Sequence, residues 1–243
     1  MVNLECSWPE SMSGLFITFE GNEGSGKSTQ IVLLAERLHR MGKQVQALRE
    51  PGGTAIGEEI RHTLKHSQAN HAMTPEAELL LMNASRAQLV REVIRPAITA
   101  GKIVLCDRFY DSTTAYQGHG RQLDLAKVRA VIDIAVGDMR PHLTLFLDVP
   151  VDVSEARRQE RQGRLFPNRG GGVMERVPLE FDAPVRDRFE ESDRAFFERV
   201  EQGYRAVAIA EPHRVKVVDA TKSVEQVAAA IWQQVAPLIG RHA

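Results

Sequence analysis

One run of residues, Gly21-Asn22-Glu23-Gly24-Ser25-Gly26-Lys27-Ser28, carries the densest chemistry in the chain. It fits the pattern G-x-x-x-x-G-K-[S/T], a phosphate-binding loop. Its glycines let backbone N–H groups converge on phosphate oxygens, its lysine meets the β- and γ-phosphates, and its final hydroxyl helps to hold magnesium. Thr29 follows directly and carries the loop into a helix. Residues 15–19 before the loop are apolar and β-prone, and residues 29–38 after it have helical spacing. Strand, glycine turn and helix lift the motif above a chance match, and the positive end of the helix dipole adds to the anion site. On this reading Lys27 is a catalytic cation and Ser28 a magnesium ligand.

Two further runs follow the next two predicted strands. The first is Leu48-Arg49-Glu50-Pro51-Gly52-Gly53-Thr54. The second begins Leu105-Cys106-Asp107-Arg108-Phe109-Tyr110-Asp111 and continues Ser112-Thr113-Thr114-Ala115-Tyr116-Gln117. Both lie at carboxyl ends of strands, on the rim where open α/β sheets bind ligands. Asp107 is placed to order magnesium-bound water. Arg49 and Arg108 are placed to grip a second anion opposite the first. Two phosphate-bearing ligands facing one another is the geometry of a nucleotide monophosphate kinase. A third region, residues 157–188, is rich in arginine, glycine and proline and includes Arg169-Gly170-Gly171-Gly172. Phosphoryl transfer needs cations that arrive as the site closes, so this span is expected to be a mobile lid, ending in a helix from about residue 190.

The elements that must hold these residues are legible as alternation. Residues 15–19, 44–48, 103–106, 143–147 and 214–218 read as buried strands, with helical patterns between them. The clearest helix spans 74–100, with Thr74 as cap, Pro75 in the first turn, and Glu76 and Glu78 at the positive end of the dipole. Gly42, Gly101 and Gly240 read as helix stops. Such alternation predicts an α/β fold with a mainly parallel sheet covered on both faces. The chain has 243 residues, 43% hydrophobic and 26% charged, which suits one kinase-sized domain over 14–243 behind a flexible extension at 1–13. A net charge of −1 gives no basic field for nucleic acid, and no apolar run reaches a membrane span's roughly 20 residues. Glu5 and Glu10 argue against a signal peptide, and the two cysteines, Cys6 and Cys106, form no disulfide or metal framework. A reducing cytoplasm is the expected location.

With its three motifs, the chain resembles the thymidylate kinases over residues 15–236. The resemblance implies a five-stranded parallel sheet flanked by helices, a P-loop nucleotide kinase fold with an arginine-rich lid. It implies transfer of the ATP γ-phosphoryl group to dTMP with Mg2+, in a cytoplasmic homodimer. Carried over by position, Gly21 through Thr29 would bind ATP phosphates, and Glu23 would lie near the deoxyribose 3′ hydroxyl. Arg49 and Arg108 would hold the dTMP phosphate, with Gln117 nearby. Arg86 would donate to a thymine carbonyl, Thr113 would approach the ring N3 side, and Tyr116 would pack beneath the sugar and disfavour ribose. The P-loop has no basic residue between Gly21 and Lys27, so the transferring arginine is expected from the lid: Arg157, Arg158, Arg161, Arg169, and above all Arg164 and Arg188. Met82 stands where the family usually has an aromatic residue over the base, followed by Asn83. Those two residues favour one rival, a kinase of another nucleotide or nucleoside on the same scaffold. A second rival, a P-loop switch, is disfavoured by the paired Arg49 and Arg108 and by the lack of an Asn-Lys-x-Asp motif.

Overall fold

Each apolar stretch forms a strand, and each strand runs one residue further, onto a charged one. A computed structural model describes residues 14–165 and 193–240. The strands are β1 (Leu15–Glu20), β2 (Val45–Arg49), β3 (Ile103–Asp107), β4 (Leu143–Asp148) and β5 (Val215–Asp219). They form one parallel sheet in the order β2-β3-β1-β4-β5. The central strand is therefore β1, and the loop that leaves it opens between β3 and β4.

Parallel neighbours need crossovers, and helices supply them. In chain order they are α1 (Lys27–Arg40), α2 (Ala55–Lys65), α3 (Pro75–Leu89), α4 (Arg95–Thr99), α5 (Tyr110–Thr113), α6 (Leu125–Val136), α7 (Val151–Leu165), α8 (Arg194–Ala210) and α9 (Val224–Ile239). Thr74 caps α3 through Ala77 N, with Pro75 in the first turn, as expected. The predicted 74–100 helix is not uniform. A widened π-type turn, Val90–Ile94, separates α3 from α4. Pro96 explains it: proline offers no N–H, and its ring crowds the carbonyl four residues back, inside that turn. Gly42 and Gly101 follow α1 and α4 in left-handed conformation, whereas Gly240 ends α9 with an ordinary φ of −69°.

Side-chain alternation along β1 divides the core. Leu15, Ile17 and Phe19 pack with Ile31, Leu34 and Leu38 of α1 and with Val227, Ile231 and Val235 of α9. Phe16 packs on the opposite face with Leu79, Leu89, Ile98 and Ile132. Each such burial contributes about 1.5–3 kcal/mol. A third cluster joins a second π-type segment, Thr114–Gly120, to α8 through Tyr116, Phe196, Val200 and Tyr204. The two approach closely: a Cβ on Gly203 would lie 2.9 Å from the His119 side chain. No helix among the described residues is long and apolar enough to cross a membrane.

The first residues of the 157–188 span, 157–165, belong to α7. The following helix, α8, is capped by Asp193 through Phe196 N. The extension at 1–13 and residues 166–192, with Arg169 and Arg188, lie outside the described residues.

Candidate active site

The phosphate loop forms where β1 ends. Gly21 has φ 134°, and a Cβ there would sit 2.5 Å from the Leu147 carbonyl oxygen, so only glycine fits between β1 and β4. Gly26 caps α1 with φ 92°. Lys27 folds back over the loop and donates to the carbonyls of Gly21 and Asn22, both at 3.0 Å, and to Ser25 Oγ at 3.4 Å. Its three protons are thus held by the loop that would cradle phosphate. Burial pushes the Lys27 pKa down to about 8, the nearby Arg108 charge adds to this, and Asp107, Glu23 and Glu20 oppose it. A bound polyphosphate would favour the ammonium form. Nucleotide binding therefore takes up a proton above pH 8, and ATP affinity should fall as pH rises past that value, by up to about tenfold per unit. Calorimetric titration between pH 7 and 9.5 checks this; a flat profile would remove Lys27 from phosphate contact.

Asp107 closes β3 in register with Phe19 of β1 and Arg49 of β2. Its carboxylate accepts from Ser28 Oγ at 2.9 Å. Ser28 and Thr29 are exposed on the rim, and Glu23 is half-buried and near enough to Lys27 and Tyr116 to act on both. Arg108 follows Asp107 with φ 69°, a left-handed conformation that costs a non-glycine residue about 1–2 kcal/mol. Its N–H donates to Phe19 O at 2.9 Å. Its guanidinium donates to Ser112 Oγ at 3.2 Å and to the hydroxyls of Tyr204 and Tyr116, each at 3.1 Å. Strain held by this many contacts is typical of functional sites. Arg49 donates to Pro51 O and to Glu58, each at 3.1 Å, and Glu58 in turn accepts from Gly53 N.

Arg86 is enclosed by protein partners. It is 2% exposed, and every N–H of its guanidinium has a protein acceptor. Nε and Nη2 meet Glu50 Oε2 at 2.8 and 2.6 Å. Nη1 donates to Asn83 Oδ1 and Thr113 Oγ1, each at 2.9 Å, and Nη2 donates to Phe109 O at 3.1 Å. Glu50 is the cause: burial raises its pKa to about 6 against the pull of Arg86, and its Oε1 has no hydrogen-bond partner among the described residues. Met82 is half-buried, one turn before Arg86, and packs against the cluster that includes Tyr116 and Phe196. The Gln117 amide donates to Glu78 at 2.8 Å, a carboxylate that also accepts from Arg121. On α7, Arg157 donates to Ala220 O at 2.9 Å; Arg158, Arg161 and Arg164 lie on the same helix.

A family model described as "Thymidylate kinase" matches residues 19–231. The chain belongs to the thymidylate kinase family. It is similar to the thymidylate kinase of Syntrophotalea carbinolica, 48% identical over 217 residues, covering 89% of this chain and 93% of that protein. It is similar to that of a Synechococcus species (strain JA-2-3B'a(2-13)), 45% identical over 223 residues, covering 92% and 95%. The crystal structure of thymidylate kinase from Ehrlichia chaffeensis shares the fold with a TM-score of 0.68 at 31% identity, covering 92% of this chain and 98% of that one. The five-stranded parallel sheet with flanking helices is thus the P-loop fold of that structure.

Four polar residues of this thymidylate kinase family member escaped the sequence reading: Glu20, Glu50, Ser112 and Tyr204. Glu20 is fully buried, and its carboxylate accepts from Phe109 N at 2.7 Å, Ser112 Oγ at 2.5 Å and Tyr204 OH at 3.0 Å. Burial lifts its pKa to about 7, with the Asp111 charge adding, against Ser112, Arg108 and the Phe109 N–H. One signal was present: Glu20 and Glu50 are carboxylates directly abutting apolar strands, where an uncompensated charge is costly.

Proposed function

We propose that this protein transfers the γ-phosphoryl group of ATP to dTMP, giving dTDP and ADP. The observation that supports it best is the placement of two cationic sites on one rim: Lys27 lies on the phosphate loop that leaves β1, and Arg108 follows β3, its N–H bonded to Phe19 O of β1 at 2.9 Å. A P-loop switch needs only the first site. A phosphate oxygen of dTMP attacks the γ-phosphorus in line, and the bond to the β–γ bridging oxygen breaks as ADP leaves. No side chain forms a covalent intermediate. Lys27 neutralises charge on the ATP side, Arg108 and Arg49 orient the acceptor phosphate, and the work is positioning plus charge stabilisation. Arg164 and Arg188 are the proposed lid cations.

The hydroxyl of Ser28 and the carboxylate of Asp107, 2.9 Å apart, are hard oxygen ligands suited to Mg2+. When bound, the ion would neutralise phosphate oxygens of ATP. Arg86 and Thr113 form the base-facing wall with Met82, and reading a thymine carbonyl through Arg86 means sharing one of its existing bonds. Tyr116 supports the sugar, Glu23 lies at its 3′ side, and Gln117 acts from behind through Glu78. The same reading makes the protein a cytoplasmic homodimer, which sedimentation of the purified chain would check.

ADP release coupled to a reporter, with and without dTMP, tests the proposal. Release that depends on dTMP and exceeds that with dUMP, TMP, dCMP, dGMP or dAMP is expected. ADP release indifferent to any monophosphate would overturn it. Arg108→Ala should raise the KM for dTMP by a factor on the order of 30–150 while the ATP KM stays nearly constant, because a charge-assisted phosphate contact is worth about 2–3 kcal/mol. Collapse of ATP affinity with dTMP binding intact would place Arg108 on the other side. Met82→Phe should tighten dTMP binding modestly, by about 0.5–1 kcal/mol from ring stacking. Overpacking against Tyr116 and Phe196 opposes it and shows as lost stability. Unchanged affinity together with unchanged melting temperature would mean that residue 82 does not touch the nucleotide.

A further inference from the structure

Glu20 stands in none of the three motifs, yet it bonds the groups around Arg108. Its Oε1 holds the N–H of Phe109, the residue after Arg108, at 2.7 Å. Its Oε2 receives the protons of Ser112 at 2.5 Å and Tyr204 at 3.0 Å. The two hydroxyl oxygens lie 2.8 Å apart, so Tyr204 donates either to Glu20 or to Ser112 Oγ while Ser112 donates to Glu20. In either arrangement neither proton is directed at Arg108. A hydroxyl has one proton and two lone pairs. Both oxygens are therefore left as pure acceptors on the side where Arg108 Nη1 donates, at 3.2 and 3.1 Å.

Tyr204 brings this contact from the far end of the chain. Its ring is 2% exposed, stacked on Phe146 at 5.1 Å and 22°, and edge-on to Tyr116 at 6.3 Å. The close approach of α8 at Gly203 fixes the ring against the Thr114–Gly120 segment. Phenylalanine would fill the same apolar slot, so packing does not explain the hydroxyl; its hydrogen bonds do.

We infer that Glu20 and Tyr204 are positioning residues for the acceptor phosphate: Glu20 orients the hydroxyls of Ser112 and Tyr204 so that they hold the Arg108 guanidinium aimed at the monophosphate. This rests on the reading of Arg108 as the dTMP-phosphate ligand. Tyr204→Phe removes one acceptor and leaves the ring. It should raise the dTMP KM about five- to tenfold, with the ATP KM within about twofold and the melting temperature nearly unchanged. Glu20→Gln should move the dTMP KM in the same direction, because its amide N–H would compete to donate and turn a hydroxyl proton towards Arg108. In an Arg108→Ala background, Tyr204→Phe should add less than about a twofold effect, since residues acting through one another are not additive.

A full five- to tenfold effect of Tyr204→Phe in the Arg108→Ala background would overturn the inference, as would equal rises in both KM values. If Arg108→Ala raises the dTMP KM but Tyr204→Phe does not, the link fails and the reading of Arg108 stands. If Arg108→Ala itself leaves the dTMP KM unchanged, the reading of Arg108 fails and takes the link with it.

Discussion

Lys27→Ala is expected to lower kcat by a factor of about 10²–10³ or more while the fold survives. The size follows from the loss of a preorganised charge where negative charge is transferred, in a site partly shielded from water. Survival of the fold follows from geometry. The Lys27 ammonium donates only to Gly21 O, Asn22 O and Ser25 Oγ, all within its own loop, so its removal detaches no element of the sheet. Gly21 and Gly26 keep the loop's turn independently of it, through their positive φ angles. Circular dichroism and melting curves of the variant should overlay those of the parent, with ADP formation reduced to near background. Parent-level turnover in a folded variant would show that Lys27 takes no part in the transfer.

The largest stability effect is expected at Glu50. Glu50→Leu leaves Arg86 buried with its charge uncompensated, which should cost about 3–5 kcal/mol. For a chain of this size that lowers the melting temperature by roughly 2–4 °C per kcal/mol. Burial raises the Glu50 pKa against the pull of Arg86, and a buried ion pair replaced by apolar groups of similar volume is often neutral or stabilising. Replacing both partners, Glu50→Leu with Arg86→Met, should therefore recover much of the loss. Activity on dTMP should not return, because the pair fixes Asn83, Thr113 and the Phe109 carbonyl around one guanidinium. A double variant as unstable as the single would mean that shape rather than charge is at fault.

The strands were legible because buried parallel strands are short apolar runs, and five such runs stand out in this sequence. Each apolar run ends one residue before its strand does, at Glu20, Arg49, Asp107, Asp148 and Asp219. Hydrophobicity ends there but the ladder does not: Arg49 still pairs with Asp107, and Asp148 with Asp219. Those charged residues form the rim on which the chemistry rests. The phosphate loop was legible because its function needs consecutive residues. The Glu20 cluster was not, because its partners stand 89, 92 and 184 residues away, and no local pattern announces them. Arg86 was found by position, but its partner Glu50, 36 residues earlier, changes what it has free to give. Residues 157–165, at the start of the expected lid, carry little apolar periodicity because the run is arginine-rich, and they continue α7.

The central place of β1 bears on how the protein is made. Synthesis runs from the amino terminus, so the phosphate-binding motif leaves the ribosome well before the strands that flank it. Thr18 of β1 meets Thr144 of β4 across 126 residues of chain. No hairpin is available to hold β1 meanwhile, because every neighbour in the sheet is parallel. Closure over such lengths must be completed before packing rewards it. A nascent chain ending before β4 thus carries every residue of the loop but lacks Leu147, whose carbonyl walls Gly21. The wall behind Gly21 is completed only when β4 has been made, and the clasp on Arg108 later still, when Tyr204 emerges with α8.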